Sequence, residues 1–247
     1  MATTDSSERI LVTKLDAPLG ASVTGVDLSR PLVDDIRAAI TESWHDNIVL
    51  VFPGQNLSGS QQIAFARLFG RTPRAGRSAT AVVVTRIPTP LGTLIAGAAD
   101  EGVCLLEFCD RRGLENQLRR MVARLDALVA PGSHPLLEQL ERELAGYFAG
   151  RLEEFTVPLV VPGTDFQRAV WDRLRVIPYG ETLSYEALAR SIGRDGAQRA
   201  VGRANGDNRI AIVIPCHRVV RADGTLCGYG GGLWRKRHLL ELEGALS

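Results

Sequence analysis

Cys216 and His217, adjacent in the stretch IVIPCHRV, are the two side chains of this sequence best suited to covalent chemistry. A thiol attacks as its thiolate, so a nucleophilic cysteine needs a base or positive potential beside it. His217 can supply the base. A neutral imidazole in turn needs a partner that fixes its tautomer, and Glu243, on the last helix, is the best candidate carboxylate. The apolar run over residues 210–214 reads as a buried strand. Pro215 fixes the backbone direction as the chain leaves it, so Cys216 is expected where a strand emerges. The alternative for a cysteine in that place is an inert core residue. Cys104 and Cys109 read as small hydrophobes on a strand. Cys227 sits in a loop without a neighbour that marks it as a nucleophile.

The elements that must hold this pair are readable on either side of it. FQRAVWDRLRVI is helical, with Phe166, Val170, Leu174 and Ile177 on one side, and it stops at Pro178-Tyr179-Gly180. Ser184 can cap the short helix SYEALARSI, which Gly193 ends, and the Ala-rich helix AQRAVGRAN follows. Two short helices so joined read as a helix-turn-helix, which DNA-binding proteins share with many neutral helical folds. After PCHRV, a glycine loop, GYGGG, leads to a last helix ending at Gly244.

Upstream, AVVVTRI, GTLIAGA and GVCLLEF are strand candidates joined by turn-like breaks, which suits antiparallel neighbours. Helices are expected over Leu114–Leu125 and over 134–148. The second carries Leu136, Leu137, Leu140, Leu144 and Phe148 as its core stripe. The segment 71–80, rich in Pro, Gly, Arg and Ser, is a linker signature. Before it, residues 9–69 suggest a helix over 32–46, a buried strand in NIVLVF and a helix over 57–69. Three domains are therefore expected, over 1–76, 77–162 and 163–247.

Composition excludes several classes. With 247 residues, 45% of them hydrophobic and 23% charged, wholesale disorder is not expected. No run approaches the roughly 20 apolar residues of a membrane helix, and MATTDSSER is polar where a secretory signal would be basic and then apolar. Four cysteines are too few for a disulfide scaffold, so a reducing, cytoplasmic setting is expected. From Gly163 onward there are 13 basic and 9 acidic residues, within a chain of net charge +1. That mild bias suits a polyanionic partner without requiring one. The cysteines and His45, His134 and His238 are too scattered for a zinc site, so no metal and no cofactor are expected.

IPCHRV, with PYGETLSYEALA, QRAVGRANGDN and GYGGG followed by LLELEG, resembles the O6-alkylguanine-DNA alkyltransferases over about residues 81–246. The resemblance implies an α/β (α+β) fold: a small antiparallel sheet with helices, ribonuclease-H-like in this family, then a winged helix-turn-helix domain. It also implies irreversible, single-turnover transfer of the alkyl group from O6-methylguanine, and secondarily O4-methylthymine, in double-stranded DNA to Cys216. In that reading His217, through a water to Glu243, draws off the thiol proton. Asn208 holds the turn around the cysteine, and Tyr185 donates toward the guanine ring. Backbone groups near Cys216 and Val219 read the guanine edge, and Tyr229 and Gly230 cover the pocket. Gly230 replaces a hydroxyl residue of some relatives, which removes one side-chain contact to O6.

Arg199 matches the family's intercalating arginine, which fills the gap left by a flipped base. Its helix presents Ala197, Ala200, Gly202 and Ala204, small enough for backbone to approach a minor groove. Arg203, Arg209 and Arg221 are then candidates for phosphate contacts. The plainer readings are a core aromatic for Tyr185, a surface carboxylate for Glu243 and a solvated face for the arginines. A monomer is expected, with no membrane partner.

LGASVTGVDLSRPL, NIVLVFPGQ and QQIAFARLFG resemble the N-terminus of taurine-dioxygenase-like, 2-oxoglutarate-dependent oxygenases over about 11–74. Those enzymes hold iron with a His-x-Asp pair and a distant His, and no H-x-D occurs in this chain. A truncated, poorly anchored segment without oxygenase activity is expected there, of doubtful stability by itself. A non-catalytic sensor or regulator binding alkylated DNA is the rival overall. The sensor proteins resembling this family lack the acceptor cysteine, so Cys216 argues against that reading.

Overall fold

The computed structural model describes residues 10–15, 20–47, 50–57, 61, 64–65, 68–69 and 80–246. The chain divides into two compact units, residues 1–79 with 129–131, and residues 80–128 with 132–247.

In the first unit β1 (Leu11–Lys14) pairs antiparallel with β2 (Ala21–Thr24), which pairs parallel with β3 (Leu50–Val51). A parallel neighbour needs a crossover, and α1 (Asp34–Asn47) supplies it. Asp34 and Asp35 occupy its first turn, where negative charge complements the helix dipole. Ile36 and Ile40 bury against Val23, Val26 and Leu28, so this segment closes a small core of its own. The expected strand in NIVLVF is described as the two residues of β3. The expected helix over 57–69 lies mostly outside the described residues, and of the expected linker 71–80 only Thr80 is described.

In the second unit β4 (Thr80–Ile87), β5 (Leu94–Ala99) and β6 (Gly102–Phe108) form the expected antiparallel sheet. Both β5 and β6 are buried throughout. Their continuous apolar runs reflect cover on both faces. α2 (Leu114–Leu125) and α3 (Pro135–Phe148) follow. His134 caps α3 by accepting from Leu136 N–H at 3.2 Å, and Pro135 takes the first helical position, where no N–H is needed. Cys104 packs in the core beside Met121, whereas Cys109 lies just beyond the end of β6 and is half-buried.

α4 (Asp165–Arg175) opens with a capping box between Thr164 and Gln167, and Ser184 caps α5 (Tyr185–Ser191) through Ala187 N–H. α6 (Gln198–Gly206) packs on both, which gives the helix-turn-helix. A short parallel pair, β7 (Leu183–Ser184) with β8 (Val219–Val220), and α7 (Leu233–Leu242) complete the unit. One continuous core joins the sheet to these helices, from Leu106 and Phe108 through Leu140, Tyr147 and Trp171 to Ile214 and Leu239.

The strand expected over 210–214 is not formed. Ile210 makes a single parallel bridge to Leu106, and the chain then curls, with Ile214 N–H bonding the Ile210 carbonyl at 3.0 Å. Ile212 takes a positive φ of 71°, a costly conformation for a β-branched residue. The cause is a polar side chain: Asn208 accepts from Ile210 N–H at 3.0 Å and donates to the Ile214 carbonyl at 2.9 Å. Apolar residues here mark burial of a turn. No helix among the described residues is long and apolar enough to cross a membrane.

Candidate active site around Cys216

The curled segment delivers Cys216 as the first residue of a one-turn 3-10 helix, Cys216–Arg218. Its Sγ accepts from Asn208 Nδ2 at 3.2 Å, and Asn205 Nδ2 lies 3.4 Å from its carbonyl oxygen. Burial pushes the thiol pKa up and outweighs the Asn208 hydrogen bond, which pulls it down, as do the more distant charges of Arg111 and Lys236. At rest this is a thiol that needs a base.

The candidate base is the next residue. His217 is fully buried, and its Nε2 lies 2.9 Å from Glu243 Oε1. The water expected between them is not needed, because the two side chains bond directly. Glu243 also accepts from Arg218 Nε at 2.9 Å, Arg218 Nη2 at 3.0 Å and the Tyr147 hydroxyl at 2.6 Å. Burial raises the Glu243 carboxyl, yet the hydrogen bonds and charges of His217, Arg218 and Tyr147 win and bring it to about 2. Glu243 is therefore a fixed anion and not the surface carboxylate of the plainer reading. For His217 burial dominates and lowers the pKa below its usual 6.5 despite the attraction of Glu243. A neutral imidazole that donates from Nε2 keeps a lone pair on Nδ1. That Nδ1 is buried without a protein partner among the described residues.

A cavity of about 220 Å³ opens onto the thiol, lined among others by Arg111, Tyr185, Cys216, Tyr229 and Gly230. Tyr185 leads α5 and is half-buried, and burial raises its hydroxyl pKa, so it is a neutral donor. Tyr229 stands edge-on to the His217 ring, 6.5 Å between centroids. Val219 is not in the cavity wall; its carbonyl accepts from the buried Lys236 Nζ at 2.5 Å. Lys236 also donates to the Cys227 carbonyl at 2.7 Å, which ties β8 to the loop after it.

On the outer face, Arg199, Ala200 and Arg203 of α6 are exposed and Ala197 is half-buried. With Arg124, Phe166 and Gln167 these three line a second groove of about 420 Å³. Arg221 is exposed, but Arg209 is not on this face: it is buried, donates to the Pro162 carbonyl at 3.2 Å, and burial lowers its pKa to about 10. It is thus a structural cation, tied by its side chain to the Pro162 carbonyl and by its own carbonyl to Leu106 N–H.

Several groups around the site escaped the sequence reading. Tyr147, Arg218 and Lys236 are all buried, and Glu107 and Arg111 come from the sheet side of the unit. Arg218, directly after the Cys-His pair, carried a local signal. The others are named only by the fold.

Comparison with known proteins gives three matches to family models. Residues 165–245 match the 6-O-methylguanine DNA methyltransferase DNA-binding domain, and residues 82–161 match the ribonuclease-like domain of the same proteins. Residues 11–90 match the taurine catabolism dioxygenase TauD/TfdA family. Among relatives, the methylated-DNA–protein-cysteine methyltransferase of Mycobacterium tuberculosis is 62% identical over 101 residues, covering 41% of this chain and 61% of that protein. The chain therefore spans less than two thirds of that relative's length in this alignment. The protein of the same description from Methanosarcina acetivorans is 40% identical over 157 residues, 64% of this chain and 95% of that one. Among solved structures, M. tuberculosis OGT in complex with DNA has a TM-score of 0.56 at 43% identity, covering 67% of this chain and 93% of that chain.

Proposed function

The chain belongs to the methylated-DNA–protein-cysteine methyltransferase family, and from that premise we propose that it repairs DNA by moving an alkyl group from O6 of guanine onto Cys216. The observation that carries the proposal is the buried thiol opening on a base-sized cavity, backed by a neutral histidine whose free nitrogen is Nδ1. The guanine must leave its stack to reach a thiol at the bottom of a cavity, so the base is flipped. Glu243 holds the Nε2–H of His217, and Nδ1, unpartnered among the described residues, takes the thiol proton through an intervening water. The Sγ lone pair attacks the alkyl carbon, the C–O6 bond breaks, and its electrons stay on the base. The thiol proton ends on guanine N1. The product is a thioether, which no ordinary thiol reduces, so the protein acts once.

In this reading Asn208 aims Sγ, and Tyr185 donates to the guanine ring. Tyr229 and Gly230 close the pocket, with the backbone of Val219 behind it. Arg199 fills the vacated stack, with Ala197 and Ala200 against the groove and Arg203 on a phosphate. The alkyltransferase part comprises an N-terminal ribonuclease-H-like subdomain over 77–162 and a DNA-binding, catalytic winged-helix subdomain over 163–247, after an appended 1–76. The protein is a cytoplasmic monomer whose partner is duplex DNA carrying O6-alkylguanine, with O4-alkylthymine a lesser substrate.

The test is the intact mass after incubation with a duplex carrying one O6-methylguanine. One added methylene mass on the Cys216 peptide is expected, lost in Cys216→Ala with duplex affinity retained. Tight binding without any mass change would replace the proposal with a damage sensor.

A further inference from the structure

We infer that Arg111, which reaches the cavity from the sheet and not from the cysteine's own elements, is the cationic donor facing the base as it leaves. By the same inference residue 230 is a glycine because this guanidinium fills the space beside it. The inference rests on the alkyl-transfer reading above.

Arg111 follows β6, and its side chain is only 12% exposed. It is tied on one side by an ion pair with Glu107, itself 1% exposed, and on the other by backbone: Nη2 donates to the Gly206 carbonyl at 2.7 Å and Nη1 to that of Asn208 at 3.3 Å. Its Nε–H makes no hydrogen bond among the described residues, and the guanidinium lines the same cavity as Cys216. A Cβ built on Gly230 would stand 2.6 Å from Nη2 and 2.7 Å from Nε, well inside any real contact. The glycine and the arginine are therefore one feature: any side chain at 230 displaces the guanidinium. In the same wall the Tyr229 hydroxyl is buried without a partner. The cavity thus holds donor capacity that the protein itself does not use.

The chemistry supplies a user. When the S–C bond forms and the C–O6 bond breaks, guanine departs with the bonding pair, its negative charge shared by O6 and N1 until the proton from Cys216 arrives. A guanidinium already fixed in a water-poor wall lowers the barrier to that charge without reorganising. A buried ion pair is by itself poor evidence of stabilisation. Here Glu107 does something else: it fixes the guanidinium plane.

The experiment uses the full chain and the O6-methylguanine duplex, with three readouts: methyl-transfer rate, duplex affinity, and labelling of Cys216 by iodoacetamide, which contains no guanine. Arg111→Ala is expected to transfer roughly a hundredfold more slowly while affinity and labelling stay within about twofold. Gly230→Ser keeps both charges in the chain but pushes the guanidinium aside and slows transfer as well. In Arg111→Ala/Gly230→Ser the serine has room, and transfer is no slower than in Arg111→Ala alone. Should Arg111→Ala not fold, Glu107→Gln/Arg111→Met removes both charges together and is read in the same way. Wild-type transfer rates in the arginine variants overturn the inference. Equal losses in transfer and labelling also overturn it, since Arg111 would then act on the thiol. Absence of transfer in the wild type would instead sink the function from which it starts.

Discussion

Glu243 shows how much of the site depends on one carboxylate. It receives His217, both edges of Arg218 and the Tyr147 hydroxyl, all from within the core. Glu243→Gln removes the anion and leaves Arg218 buried without its charge partner, a change that costs about 3–5 kcal/mol. Its amide can also present a donor to His217, which turns the imidazole to the wrong tautomer, so transfer should slow on the order of a hundredfold. Urea unfolding and single-turnover transfer measure the two losses separately; a variant as stable as wild type would mean the cluster is solvated.

The pH dependence follows from the same groups. The Glu243 carboxyl sits at about 2 when folded against an ordinary 4.5, so its stabilisation is complete above 4.5 and is lost as pH falls toward 2. The folded His217 lies below its ordinary 6.5, so the unfolded chain takes up that proton first and stability already falls from about 6.5 downward. Urea midpoints from pH 7 to 3 should show this acid loss, with the lower part reduced in Glu243→Gln. The transfer rate should stay level as pH drops from 7 to 6.5, because His217 is still neutral. An acid limb already apparent above 6.5 would contradict its burial. Cys216, His217 and Glu243 were singled out by the flanking motifs and the resemblance they carry, and the structure brings His217 and Glu243 into contact. Tyr147 was not singled out, because it lies 96 residues from its partner and reads locally as one more core aromatic.

At the scale of elements, the sheet and the helix-turn-helix were readable because their signals are local: apolar periodicity, Ser184 and Gly193 at the helix ends, and turn residues between strands. The segment 210–214 was misread for a physical reason. An apolar run reports burial, and only the side chain of Asn208 decides that the buried backbone curls. Asn208→Ala should therefore do more than remove a contact to sulfur. It leaves the Ile210 N–H without its partner, at about 1–3 kcal/mol, and strips from the Ile214 carbonyl one of its two donors, the other being Cys216 N–H. It also releases a turn that holds Ile212 in a strained conformation. Thermal unfolding should drop, and amide exchange over 210–216 should quicken before the rest of the unit. Unchanged protection there would show that packing alone holds the turn. On the outer face Arg203→Ala should weaken binding to all duplexes alike and reduce the salt slope by about one, as loss of one phosphate contact does. A sequence-dependent loss would place Arg203 on a base.

The whole chain joins two units whose sequence signals point to different families, and the physics of each can be judged separately. All the groups given roles around Cys216 and on α6 lie between Glu107 and Glu243, and the core behind them is continuous within residues 80–246. Among the described residues the first unit closes a small core of Val23, Val26, Leu28, Ile36 and Ile40. Its match to the taurine catabolism dioxygenase family covers residues 11–90, and no His-x-Asp occurs anywhere in the sequence. The sequence could mark the seam, because composition changes there, but could not say whether the fragment closes a core, which depends on pairing β2 with a strand 29 residues further on. A chain beginning at Thr80 should therefore keep the methyl-transfer rate and duplex affinity within about twofold, since no group of the proton relay or of the cavity is removed. The comparison is made with the full chain on one O6-methylguanine duplex, read by intact mass and by binding at equal salt. A shortened chain that binds normally but transfers slowly would give the first unit a part in ordering the catalytic elements. One that transfers normally only at high duplex concentration would make it a DNA-contacting arm. Retention of both properties would leave it as an appendage whose use, if any, lies outside the chemistry at Cys216.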